Sequence, residues 1–179
     1  MVFKAHLDVA DLNHHRYEHK DVTVALLPRE DLEHFLLKLI GFCLLPLHSA
    51  AWSKNNDNPI HPDLSLKDEF NRYILWIEVG SPTQKRLERA MQQAEQVIVI
   101  TLKNSTWLTD NEAYLSRKHI KLLAIDTQFL NNLSQDMTQR FDWSVVVEQN
   151  TLTITNNQGF YETNFTEEVA LNYLSSEPH

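Results

Sequence analysis

Glycine is nearly absent from this chain. Its 179 residues contain three, Gly41, Gly80 and Gly159, where ordinary usage of about 7% would give roughly a dozen. A backbone that cradles phosphate, or turns sharply to present a nucleophile, needs several glycines within a few residues. The dinucleotide fingerprint, the Walker loop and the nucleophile elbow are therefore excluded, and with the last goes a hydrolase built on a strained serine turn. A lone Cys43 likewise excludes disulfide frameworks, cysteine zinc sites and iron–sulfur clusters. What remains is a chain with 42% apolar and 22% charged residues, long enough to bury one full core. Acids outnumber bases 24 to 16, a formal charge of −8. That charge repels a phosphate backbone at long range, so contact with nucleic acid needs a local basic patch.

The N-terminus alternates polar and apolar residues from Met1 to Asp8 and lacks the unbroken apolar stretch of a signal peptide. The most apolar segment, 32–47, is interrupted by Glu33, His34 and Lys38 and bounded by His48. It is too short and too charged to span a bilayer. A soluble cytoplasmic protein without a membrane partner is the expectation.

Residues 2–12 and 16–27 alternate around Asn13-His14-His15, the pattern of a hairpin. Apolar residues then recur at three- and four-residue spacing over about 30–46, which predicts a long core-facing helix. The polar stretch 48–61 reads as a loop. A short strand (63–67), a turn (68–72) and a strong strand, Tyr73–Val79, follow. Ser81, Pro82 and Gln84 form a capping-box start for the next helix. The branched run 97–100 predicts a strand covered on both faces. A helix near 107–118, a strand at 120–125, a helix capped by Asp126 or Thr127, and antiparallel strands near 143–148, 152–155 and 161–165 complete the chain. The architecture expected is a single α/β domain over 1–179 with one mixed sheet flanked by helices, and a flexible tail at about 168–179.

The chemistry concentrates in 62–93. Pairing 63–67 antiparallel with 73–79 makes partners sum to 140 or 141, which sets Asp63 beside Ile77 or Glu78. Side chains on directly paired strands stand about 4.5–5.5 Å apart at Cβ, close enough for two carboxylates to share a hard cation such as Mg²⁺. Strand parity sets Trp76 and Glu78 on one face and Tyr73, Leu75, Ile77 and Val79 on the other. The competing reading pairs Glu78 with an arginine and leaves Asp63 as a strand start.

The block Leu75-Trp76-Ile77-Glu78-Val79-Gly80, with Pro82, Lys85-Arg86 and Ala90 after it, resembles the YaeQ family of small bacterial proteins. Supporting pieces are Val9-Ala10-Asp11-Leu12, Pro28 with Glu33, Pro62-Asp63, Gln93-Ala94 and Asn104-Ser105. The resemblance runs from near the N-terminus to about residue 165. It implies a core similar to PD-(D/E)XK restriction endonucleases, with an added N-terminal hairpin and C-terminal antiparallel strands. On that reading Pro62-Asp63 is the "PD" element, Glu78 the second acid, Glu33 the helix acid and Gln93 a polar group of the following helix, with Asp63 and Glu78 as ligands of Mg²⁺. The sequence departs from the nuclease pattern at Gly80, where a lysine is expected. Lys67, Lys85 or Gln93 are the groups that stand in for it.

Other features have simpler readings. Lys85, Arg86 and Arg89 form either a phosphate-contacting patch or a solvated helix face balanced by Glu88 and Glu95. His14, His15 and His19 read as polar groups of the hairpin rather than metal ligands, and His61 as a solvent-exposed strand entry. Cys43 belongs to an apolar stripe; Trp52 and Trp107 close core edges more readily than they stack bases. Two functions follow. One is a Mg²⁺-dependent nuclease-like phosphodiesterase acting on nucleic acid. The other is a catalytically inactive nuclease-fold module that binds a protein or nucleic-acid partner in a regulatory role.

Overall fold

A computed structural model describes residues 1–53 and 61–165. In chain order the elements are β1 (Val2–Asp11), β2 (Arg16–Ala25), α1 (Leu32–Cys43), β3 (Ala51–Trp52), β4 (Leu64–Lys67), β5 (Tyr73–Val79), α2 (Gln84–Gln93), β6 (Ala94–Leu102), α3 (Thr106–Arg117), β7 (Lys121–Ile125), α4 (Thr127–Gln135), β8 (Arg140–Glu148), β9 (Thr151–Thr155) and β10 (Phe160–Asn164).

The strands form two sheets, not one. The first has the order β10-β9-β8-β1-β2 and the second β3-β4-β5-β6-β7. Both are mixed: β1 runs parallel to β8 and antiparallel to β2, while β5, β6 and β7 are parallel and β4 is antiparallel to β5. The cause lies in α1. From Phe35 to Cys43 every residue is buried, Lys38 among them, so this helix needs cover on opposite sides. One sheet supplies Leu64, Leu75, Ile77, Ile98 and Ile100, the other Phe3, Ala5, Leu7 and Trp143, and α4 adds Phe129 and Leu133 to the same core. Gly41 lets the helix settle on the second sheet: a Cβ there would lie 2.5 Å from Ile100 Cδ1 and 3.0 Å from Leu64 Cδ1. The far face of the second sheet carries a smaller core of Trp76, Val97, Val99, Leu87, Ala90, Tyr114 and Leu115, covered by α2 and α3. The outer face of the first sheet is open to solvent.

The hairpin stands where its alternation predicts it, and the last three strands form an antiparallel meander whose first member also joins β1. Helix starts shift by a few residues. Asp31 caps α1 by accepting from His34 N. Thr83, not Ser81, caps α2, its hydroxyl accepting from Arg86 N at 3.2 Å, because Pro82 is buried outside the helix. Asp126 caps α4. β6 begins immediately after α2, earlier than its branched run suggests. Within the stretch read as a loop, Ala51–Trp52 pairs with β4; residues 54–60 lie outside the described residues, as does the tail expected at 168–179. A β-bulge between Leu66 and Lys67 turns Tyr73 to the Trp76 side, 4.9 Å between ring centroids, against the parity expected of it.

Candidate functional site: a buried acid pair with its own bases

The β4–β5 register pairs Leu64 with Ile77, so positions sum to 141 and Asp63 falls opposite Glu78. Asp63 straddles that residue. Its N–H donates to Ile77 O at 3.0 Å and its Oδ2 accepts from Val79 N at 2.8 Å. Both acids are buried, Asp63 at 5% exposure and Glu78 at 2%.

The two side chains then part. Glu78 keeps to the Trp76 side: Oε1 accepts from Trp76 Nε1 at 2.7 Å and Oε2 from Arg86 Nε at 2.6 Å. Arg86, in the first turn of α2, also donates through Nη2 to His61 O at 2.8 Å, tying the helix start to the entry of β4. Asp63 turns toward α1, where His34 Nε2 lies 3.6 Å from Oδ1. His34 is oriented from behind by Glu30, Nδ1 to Oε1 at 2.7 Å, and Glu30 accepts from Leu27 N. One turn further along α1, Lys38 is fully buried. Its ammonium donates to Ser53 O at 2.8 Å and lies 4.5 Å from the Trp52 ring centroid, a cation–π distance.

Three carboxyls, Glu30, Asp63 and Glu78, thus stand among three bases, His34, Lys38 and Arg86. Burial is the main force on the Glu78 carboxyl. It pushes the group up to about 7, against the pull of Arg86 and with help from the Asp63 charge. Burial lowers Lys38, with Asp63 and Glu30 resisting. His34 is raised: burial works against the charge, but Glu30 and Asp63 overcome it.

Asp63 and Glu78 are therefore neighbours, as their spacing predicts, and Glu78 has the arginine of the competing reading. The other expected residues are placed elsewhere. Glu33 is exposed on α1, because the helix turns His34, not Glu33, toward Asp63. Lys85 is exposed at the start of α2, while its neighbour Arg86 makes the contact. Gln93 is exposed at the last position of α2, beside Tyr73 and thus at the opposite end of β5 from Glu78. Lys67 also lies at that far end, its ammonium 4.7 Å from the Tyr73 ring centroid. Sequence reasoning missed Glu30, His34 and Lys38 as a set. The signal was present in part: His34 and Lys38 are four apart, hence on one face of a helix otherwise built of core residues, and Glu30 lies four residues before His34, just ahead of the Asp31 cap.

Position 80 has a definite occupant. Gly80 sits at φ +92°, and a Cβ there would meet His34 Cδ2 at 3.4 Å. A Cβ would thus make ordinary contact with the imidazole; it is the positive φ that disfavours a side chain here. Gly80→Lys is expected to cost about 1–2 kcal/mol from the left-handed backbone; a urea denaturation midpoint checks this.

Mg²⁺ takes several oxygen ligands and retains waters. Here both Glu78 oxygens accept from protein donors, one Asp63 oxygen accepts from the backbone and the other faces His34. Among the described residues no group of three or more His, Cys, Asp or Glu is arranged to hold a metal ion. In this arrangement the donors do not fit a resident Mg²⁺. Cys43 is fully buried, its thiol pushed up to about 12 by burial, and is inert. Trp52 packs against Phe35 and Phe42, and Trp107 donates to Pro82 O; both close core edges. No helix among the described residues is long and apolar enough to cross a membrane.

The chain is similar in structure to the crystal structure of the YaeQ protein from Xanthomonas axonopodis pv. citri, with TM-score 0.83, 21% identity, and coverage of 92% of this chain and 95% of that one. The YaeQ protein from Pseudomonas syringae gives TM-score 0.84 and 24% identity over 92% and 93%. Among curated proteins, the uncharacterised YaeQ of Escherichia coli K12 is 20% identical over 169 residues, 92% of this chain and 93% of that protein. The YaeQ of Salmonella typhi is 28% identical over 96 residues, 54% and 53% of the two chains. The family model for YaeQ protein matches residues 1–165. A family match over nearly the whole described chain leads to one conclusion: this chain belongs to the YaeQ family.

Proposed function

We propose that this protein is a non-catalytic binding module on a nuclease-like scaffold, and that its acid pair holds the scaffold together rather than a metal ion. One observation carries the reading: the Glu78 carboxylate spends both oxygens on Trp76 and Arg86. A catalytic acid must face an ion or a reacting water, whereas this carboxyl, 2% exposed, is turned to two protein donors. The glycine at position 80, with His34 against it, removes the lysine that would orient that water. The net charge of −8 favours a protein partner over a nucleic-acid backbone.

Calorimetric titration of the full chain with MgCl₂ and MnCl₂ tests this. No saturable binding at millimolar metal, and no metal-stimulated cleavage of single- or double-stranded oligonucleotides, is the expected result. A second reading has its own support: Asp63 stands beside Glu78 and its charge helps lift that carboxyl toward neutrality, the kind of coupling found where acids share chemistry. Saturable Mn²⁺ binding that disappears in both Asp63→Asn and Glu78→Gln would reverse the order and make the protein a metal-dependent phosphodiesterase acting on nucleic acid.

A further inference from the structure

The open face of the first sheet carries a feature that the acid pair does not explain. Lys4 and Arg140 are direct partners on the parallel strands β1 and β8, and both are exposed. Like charges set opposite each other on one sheet face destabilise the pairing. Neither side chain has an ion-pair or hydrogen-bond partner among the described residues. The next row of the same face, two residues along, is Asp21, His6 and Asp142. There His6 Nδ1 is bonded to Asp21 Oδ1 and Nε2 lies 3.4 Å from Asp8 Oδ2. Asp21 is thus already engaged, whereas the Asp142 carboxylate has no hydrogen-bonded partner among the described residues.

These two rows line one hollow of about 400 Å³, with Thr23 on one side and Asn157, from the β9–β10 turn, on another. That volume suits a small ligand. We propose that the hollow binds a small phosphorylated ligand that also carries hydroxyl groups. Lys4 and Arg140 take the phosphate, which relieves their mutual repulsion, and Arg140 supplies a forked donor that matches phosphate oxygens. Asp142, about 7 Å further along its strand, accepts from a hydroxyl of the same ligand. Asp21, through its hydrogen bond to His6, is the main cause that raises that imidazole. A polymeric phosphate backbone is kept away by the charge of −8, which a compact ligand on two local cations escapes. The inference is independent of the reading of Asp63 and Glu78, which stand on the other sheet.

Amide NMR titration of the full chain tests it, with glucose 6-phosphate, inorganic phosphate and glucose as probes. Glucose 6-phosphate is expected to give saturable shifts confined to the neighbourhood of Lys4, His6, Thr23, Arg140 and Asn157. Binding falls roughly tenfold or more in Lys4→Gln and in Arg140→Gln, exposed changes whose spectra elsewhere report an intact fold. Asp142→Asn removes the preference for the sugar phosphate over inorganic phosphate. Absence of saturable shifts at millimolar ligand, unchanged affinity in both charge variants, or inorganic phosphate binding as tightly as the sugar phosphate to the wild-type chain would each overturn the proposal.

Discussion

Between pH 5 and pH 8 the protein is expected to lose about 2–3 kcal/mol of folding stability, and Glu78→Gln is expected to flatten that slope. The Glu78 carboxyl moves from an ordinary value of 4.5 up to about 7 on folding. A group raised in the folded state binds its proton more tightly there than in the unfolded chain. Its contribution is fully present below about 4.5 and is lost as pH rises through about 7. A shift of that size is worth about 3 kcal/mol in full, most of it inside the window. His34, also raised, acts in the same sense, its stabilisation disappearing as pH climbs through its folded value. Glu30 is lowered; its stabilisation is present above 4.5 and is lost as pH falls through its folded value, on the acid side of the window. Lys38, held below its ordinary value by burial, works in the opposite sense on the alkaline side. Urea unfolding at several pH values reads the slope directly. Glu78→Gln leaves Arg86 without its charge partner, a cost carried at every pH, so the slope and not the absolute stability is decisive. Equal slopes in the two proteins would show that Glu78 is an ordinary carboxylate, fully compensated by Arg86.

Phe35→Ala is expected to cost about 3–5 kcal/mol, a large share of the roughly 5–15 kcal/mol that holds a domain folded. Its ring is fully buried. It packs tilted against Phe3 of β1, 4.8 Å between ring centroids, and edge-on against Trp52 of β3 at 5.8 Å, and so bridges the two sheets through α1. Truncation opens a void on both sides of the helix, where neither sheet can close without moving away from the other. Phe160→Ala, at an exposed position of β10, is the control and should lie within about 0.5 kcal/mol of wild type. A loss under 1 kcal/mol for Phe35→Ala, measured by urea denaturation, would mean that the sheets do not depend on α1 for their contact.

The two effects separate the jobs of α1. Phe35, Leu36, Leu39 and Ile40 hold the layers together, while His34 and Lys38, on a stripe of their own and with Glu30 just ahead of the helix cap behind His34, carry charge to the ends of β4 and β5. A helix buried on all sides tolerates such a stripe only where each charge is met. Asp63, Ser53 O and the Trp52 ring meet these.

Alternation and three-to-four spacing made the hairpin, the central helix, β5 and the C-terminal meander legible before any coordinates, because each pattern reports which side of one element faces apolar neighbours. The antiparallel register of β4 on β5 was legible as well, since a short turn leaves little choice of partner, and it set Asp63 beside Glu78. The family resemblance was carried by the block around Glu78. Three things were decided only by the tertiary structure. The first is the split into two sheets, which depends on β8 returning to β1 across more than a hundred residues. The second is the identity of the bases that reach the acids. Arg86 and not Lys85, and His34 and not Glu33, are selected by helix rotation against a sheet that no local pattern specifies. The third is the pairing of Lys4 with Arg140, invisible along the chain. Hydrophobic periodicity is a property of one segment with its own period, whereas charge pairing is a property of two segments and of the angle at which they pack.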